Sequence, residues 1–561
     1  MRRVFRLANL VLCLLALVCG TVSEVPGEQR TIARVELMPR SPSPFLIKDW
    51  KALADAYDRF IFDLNAKGEH LPLMWWDNSR INFDRLTFGL PSYVGDTRVN
   101  TTGHEAITCM GALLGATIAG VDKSRGPTNW VLMIEQYFNQ KNGENLVLNR
   151  TSTHSGQSFW YEVWPHVLFY ALAERYPKIG KMEVIMKATA DQWYAACYHM
   201  GGKNGASDFD HTAFDFRIMK PVDNGVWKEP DAAAGVGWLE YMAWVKWRSS
   251  KHLQAADWAL QFLQSRKENP YYEILMPYGA YLAARINGEL GRKYDVHKLL
   301  TWCFEESKAR PGWGTIAEEW GGYSCHGLVG SITDGGGYAF AMNTFATAGA
   351  LVPLVRYDDR YSRAMGKWML NAANNSRLFY GDAHPADHQS SAFWRDDPSV
   401  ISYEGLRKEW EGKSPYATGD AIRSGWGPTD LALYGASYVG FFGGIVRRTN
   451  VERIIQLDCL ATDFFHDRAY PTYLYYNPYE VTKEVEIDVG SEVRDLYDAA
   501  TDGFLKRNVR GRVSFTLAAD SAALVVITPA RGTITHKDNK TLINGVAVDY
   551  VSSGSPMRVV H

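Results

Sequence analysis

The chain has 561 residues, 46% of them hydrophobic and 22% charged, with a formal net charge of −2 at pH 7. That length fits one large domain with an appendage, or a few domains. The near-neutral balance gives no electrostatic case for nucleic acid or an anionic membrane surface as a partner. Aromatic residues make up 13%, with 19 Trp and 30 Tyr. This describes either a large core rich in rings or an open cleft with aromatic platforms, on which the C–H faces of sugars pack.

The N-terminus has the pattern of a secretory leader, assigned to residues 1–23. Arg2, Arg3 and Arg6 precede the apolar run Leu7–Gly20, which is too short to span a bilayer, and Ser23 suits cleavage. A lipoprotein reading through Cys19 is weaker, because bulky Leu17 and Val18 precede it. No later segment approaches about 18 uninterrupted apolar residues, so no membrane span is expected and the mature chain is expected to be secreted or periplasmic. Residues 24–46, with Pro26, Pro39, Pro42 and Pro44, read as an extended arm. The cysteines beyond the leader are Cys109, Cys197, Cys303, Cys325 and Cys459. They are widely spaced, show no metal-binding pattern, and read mostly as small buried residues.

From 47 to 468 the hydrophobic periodicity predicts about thirteen helices. They cover 49–65, 103–120, 129–140, 156–176, 181–200, 231–249, 252–266, 269–288, 295–308, 334–355, 359–374, 428–446 and 450–465. Two kinds alternate. One is charged on one face and follows a short turn, as at 252–266, 295–308, 359–374 and 450–465. The other is apolar all round and rich in Gly and Ala, which marks a buried helix. These begin near Gly103, Gly156, Asp231, Pro270, Asp334 and Pro428. From 469 to 561 the pattern changes to short alternating β-branched stretches, 483–490, 509–520, 522–536 and 541–551, separated by turn residues.

Helical hairpins that cannot bury their faces alone must stack or close on themselves. In the number of its hairpins and the asymmetry of its loops, the segment 47–468 resembles the six-hairpin glycosidase-like superfamily. That resemblance implies a mainly α fold: an (α/α)6 toroid of helical hairpins, followed by a small β-sandwich-like domain. It is architectural and carries over no active-site residue.

Each long loop precedes a buried helix, so all are expected at one end of the ring, where scaffold-held loops concentrate function. The densest in chemistry is Glu318–Gly337, EEWGGYSCHGLVGSITDGGG. Glu318 and Glu319 beside Trp320 are candidate acid/base residues, or else a solvated turn. Asp334 and Asp231 stand at helix starts, where capping is the plain role and a basin-facing carboxylate the functional one. Trp320, Tyr323 and Trp426 are candidate sugar platforms, with His326 beside them. Arg423 would hold a carboxylate or sulfate by a bidentate bond. His211 and Asp215 belong to the cluster SDFDHTAFDF, and His104 opens the first buried helix after Thr101 and Thr102. Sequons occur at Asn100, Asn149, Asn374 and Asn539.

No nucleophile elbow, phosphate loop, zinc-protease or dinucleotide motif is present, and neither a metal nor a cofactor is called for. The favoured function is an exported glycoside hydrolase acting on an oligo- or polysaccharide, with Glu318 or Glu319 as acid and Asp231 or Asp334 opposite. Toroid hydrolases commonly invert, with carboxyl groups about 6.5–9.5 Å apart. The alternatives are a polysaccharide lyase acting on uronates, using a Tyr or His base, and a non-catalytic glycan-binding toroid.

Overall fold

In the computed structural model, the described residues are 28–95, 103–308, 310, 312–392, 398–552 and 558–559. The leader, Asn100, Thr101 and Thr102 lie outside them. Eleven helices of at least seven residues build the helical part. They are α1 (Trp50–Ile61), α2 (Ala106–Ile118), α3 (Phe159–Arg175), α4 (Met182–His199), α5 (Ala232–Trp247), α6 (Ser250–Ser265), α7 (Leu275–Leu290), α8 (Val296–Phe304), α9 (Ala341–Leu354), α10 (Ser362–Asn375) and α11 (Val439–Ile445).

The helices that are apolar all round, α2, α3, α5, α7, α9 and α11, lie inside. Nearly every residue of α2, α5 and α9 is buried. Each inner helix touches the next, and α11 returns to touch α2, so the contacts form a closed cycle. The amphipathic helices pack outside: α4 on α3 and α5, α6 on α5, α8 on α7, α10 on α9. Beside α2 the outer element is a short helical segment, Trp130–Tyr137.

The sixth pair corrects a sequence expectation. Residues 450–465 do not form the outer partner of α11, because Ile455–Asp458 is a β-strand whose burial alternates residue by residue. The alternation fits one side of a sheet, and neighbouring strands complete it on both edges. The partner of α11 is instead α1, from the other end of the chain. Asp49 starts α1 by accepting a hydrogen bond from the Ala52 N–H at 3.0 Å. The helices approach closely enough at the seam to require glycine. A Cβ on Gly440 of α11 would lie 2.0 Å from the carbonyl oxygen of Gly115 in α2.

The loops before α9 and α11 are more ordered than their glycine content predicts. They contribute β1 (Trp313–Thr315), β2 (Val329–Ser331), β3 (Tyr338–Phe340), β4 (Gly405–Arg407) and β5 (Tyr416–Thr418) to one antiparallel sheet in chain order. Within the loop first singled out, Glu319–Trp320 pairs with Tyr323–Ser324.

The C-terminal part is built on β6 (Val446–Arg448), β7 (Ile455–Asp458), β8 (Thr472–Tyr476), β9 (Lys483–Asp488), β10 (Arg494–Asp498), β11 (Gly503–Val509), β12 (Arg512–Leu517) and β13 (Ala522–Pro529). The large sheet runs β6-β7-β8-β13-β10-β11, with Arg558–Val559 at its edge, so its first strands precede residue 469. One face rests on α10 through β8 and β13. The other packs on the β9–β12 ribbon around Tyr475, Val485, Phe515 and Val525. Arg285 of α7 ties the helical part to the connection between β7 and β8. Buried, it donates to the carbonyls of Phe464 (2.8 Å) and Phe465 (2.6 Å). The five cysteines are buried, and none forms a disulfide among the described residues.

Gly440→Ala forces a methyl into the backbone of α2. It is expected to lower unfolding stability by about 1–3 kcal/mol, read as a lower denaturant midpoint at unchanged slope.

Candidate active site

A cavity of about 860 Å³ opens at the N-terminal ends of the inner helices. All six helices or their preceding loops reach it. Glu105 precedes α2, Tyr161 lies in the first turn of α3, and Trp227 stands on the loop before α5. Glu273 precedes α7, Phe340 precedes α9, and Tyr434 precedes α11. The loops gather at one end because every inner helix enters the ring in the same direction.

The wall is rich in rings, and edge-to-face contacts hold them in place. Trp313 meets Tyr272 at 5.3 Å and Phe340 at 6.2 Å, and Phe340 meets Tyr434 at 6.0 Å. Tyr93 meets Trp426 at 4.6 Å. Trp227 and Trp426 remain about half exposed, so ring surface is open to a ligand.

Two buried carboxyl groups stand in this wall. Glu273 is 9% exposed and has φ +55°, a left-handed conformation rare outside glycine. A non-glycine residue held there stores about 1–3 kcal/mol of strain, which the surroundings must impose. Asp231 supplies part of that constraint by accepting a hydrogen bond from the Tyr272 N–H at 3.0 Å. Burial pushes Glu273 up to about 7, against the opposing pull of Tyr272 and Arg310. Its Oε2 is buried without a hydrogen-bond partner among the described residues.

Glu404 is 5% exposed. The Asp420 N–H donates to its Oε2 at 2.7 Å. Gly419 makes that approach possible, since a Cβ there would sit 2.6 Å from the same oxygen. Burial, followed by the nearby Asp420 charge, pushes Glu404 up to about 8. The more exposed Asp420 and Asp334 face Arg407, at 3.1 and 3.8 Å. Glu105 accepts hydrogen bonds from Ser92 (2.6 Å) and Asn149 (2.9 Å). Arg310 lies 3.6 Å over the Tyr272 ring and 3.9 Å from Glu229.

Of the residues singled out from sequence, Asp334 and Trp426 line the cavity. Asp231 lies just behind the wall, and burial holds its carboxyl well above the usual range. Glu318 and Glu319 stand outside the wall. Glu318 accepts from the Trp320 indole (2.7 Å) and Lys408 (3.0 Å), which outweigh burial and hold it below the usual range. Trp320 is buried, packed where Gly337 leaves room for its ring. Tyr323 lies beside His384, and His326 is buried with Nδ1 unpartnered among the described residues. Arg423 stacks over Trp410 at 5.1 Å. His211 bonds Asp223 at 3.1 Å, and Asp215 is clasped by Arg217 at 2.7 Å. His104 is buried between Tyr137 and Asp77. Burial opposes its protonation, yet Asp77 raises it to about 9. None of these reaches the cavity wall.

The residues that sequence reasoning missed are Glu273, Glu404, Asp420 and Arg310. Glu273 and Asp420 fall within long loops already marked, KENPYYE and YATGDAIRSGWGPTD, but no spacing distinguished them. The sequons at Asn149 and Asn374 are buried in hydrogen bonds. Among the described residues no three His, Cys, Asp or Glu side chains group for a metal ion.

No protein-family model matches the sequence, and no curated protein does. Among solved structures, 13 chains match. One is a possible member of the GH105 family from Salmonella enterica serovar Paratyphi A. It is 13% identical over 72% of this chain and 95% of that one, with a TM-score of 0.36. A second, described as a glycoside hydrolase, is 8% identical over 79% of this chain and 77% of that one, with a TM-score of 0.35. An Anoxybacillus α-amylase is 14% identical over 19% of this chain and 24% of that one, with a TM-score of 0.12.

Proposed function

We propose that the chain is an exported glycoside hydrolase and that its closed cycle of hairpins is an (α/α)6 toroid of the six-hairpin glycosidase-like kind. The observation that carries the activity is the pairing of buried Glu404 and Glu273 in one ring-walled cavity. The leader-like N-terminus supports export.

In this reading, sugar rings stack on the exposed faces of Trp227 and Trp426. Glu404, which keeps its proton near neutrality, donates it to the glycosidic oxygen as the C–O bond breaks. Glu273, whose Oε2 has no hydrogen-bond partner among the described residues, takes a proton from a water molecule as that water bonds to the anomeric carbon. Water then leaves one proton on Glu273 and its oxygen on the sugar, and proton exchange with solvent resets both carboxyls. Asp231 positions the Tyr272–Glu273 turn, and Asp334 and Asp420 face Arg407. A lyase would need a Tyr or His base. Among the described residues no His lines this chamber, His154 standing in the adjoining one, and burial holds Tyr272 and Tyr338 above their usual range.

A panel of aryl glycosides and polysaccharides tests the activity. Glu404→Gln and Glu273→Gln are each expected to lower kcat by about 10²–10⁴-fold, while Glu319→Gln leaves it within about twofold of wild type. For Glu404→Gln the loss should shrink on a dinitrophenyl glycoside, whose leaving group needs no proton. Full activity in both cavity variants would overturn the assignment, and products with a new ultraviolet-absorbing double bond would make the enzyme a lyase.

The pH dependence of kcat/KM follows from the two values. Glu273 must lose its proton, so activity rises through about pH 7; Glu404 must keep its own, so activity falls through about pH 8. A narrow bell between these limbs is expected, with the acid limb missing in Glu273→Gln.

A further inference from the structure

A second, smaller cavity of about 300 Å³ adjoins the first. The two share Glu105, Arg150 and Tyr161 as a common wall, so together they form one cleft with a waist. Their chemistries differ. The main chamber is walled by rings. The side chamber is walled by the loop before α3, which presents the hydroxyl, imidazole and amide groups of Ser152, Thr153, His154 and Gln157.

This loop is braced from within. The Gly156 and Gln157 N–H groups donate to Glu162 Oε1 at 2.7 and 3.0 Å. Gln157 Nε2 donates to the His154 carbonyl at 3.1 Å, and Asn142 Nδ2 donates to the Thr153 carbonyl at 2.6 Å. At the waist, Asn149 Nδ2 donates to Glu105 Oε1 at 2.9 Å, which fixes the carboxylate between the chambers. A loop stapled in this way keeps a concave polar space open and pre-organised. Arg150 is exposed at the waist and makes no ion pair among the described residues, so its donors are available to a ligand. Tyr161 shares this waist and is 43% exposed.

We propose that the cleft takes an oligosaccharide rather than a single sugar: one unit stacks in the ring-walled chamber, its neighbour lies in the polar side chamber, and the linkage between them passes Arg150 and Tyr161. This rests on the glycosidase reading above and adds to it the length of the substrate. Aromatic faces match a sugar ring, while hydroxyl and amide groups match the equatorial hydroxyls of a second unit.

The test is kcat/KM along an aryl glycoside series of one to five sugar units, measured on wild type, Arg150→Ala and Ser152→Trp. Residues 150 and 152 are both exposed, so both variants are expected to fold, checked by an unchanged thermal midpoint. Wild type should gain at least about tenfold in kcat/KM between one unit and two or more. Arg150→Ala should reduce that gain, and Ser152→Trp, which fills the side chamber, should bring it below about twofold. Equal kcat/KM across the series in wild type, or a gain that survives both substitutions, would overturn the proposal while leaving the hydrolase intact. No cleavage of any member by wild type would instead sink the hydrolase reading itself.

Discussion

The backbone contact between α11 and α2 is the constraint on which the rest depends. Gly440 lies against the carbonyl of Gly115 with no room for a single methyl group. This contact lets the last inner helix lie beside the first, and the N-terminal helix α1 then covers the seam. Without it the hairpins would form an open row with two exposed apolar faces. With it, six helices that could not be stable alone bury one another. Their entering loops all arrive at one mouth.

Closure also explains the electrostatics at that mouth. The loops meet over a buried floor, so carboxyls that would be ordinary on a surface lose their water. Glu273 and Glu404 respond by holding protons to higher pH. Asp334 and Asp420 remain more exposed and face Arg407. The acidic groups of the mouth thereby differ in depth, with two buried and two facing one arginine. The strained backbone of Glu273 belongs to this arrangement, since Asp231 and the helix behind it hold the turn in place.

Sequence patterning made the scaffold legible. Helices that are apolar all round announced the buried inner set, and the length and glycine content of the loops before them announced where the main cavity would open. Trp426 and Asp334 were visible for that reason. The rest of the cavity wall was not. Glu404 sits in a plain SYEG and Glu273 in YYE, single carboxylates without a spacing signature. Glu318 looked more eventful than either, but Lys408, just after β4, pairs with it outside the cavity. Residues 450–465 had helical spacing, yet the strands at 446–448 and 472–476 offered Ile455–Asp458 a ladder on both edges, and the sheet won.

By itself the amino-acid order determined which segments must be buried and which must be loops, because hydrophobic period and glycine content act over a few neighbouring residues. Only tertiary structure decided which carboxyls share a cavity, which cation neutralises which acid, and that the first helix closes the ring beside the last. Those outcomes depend on distance and desolvation between residues that lie well apart in the chain, and no local pattern records either.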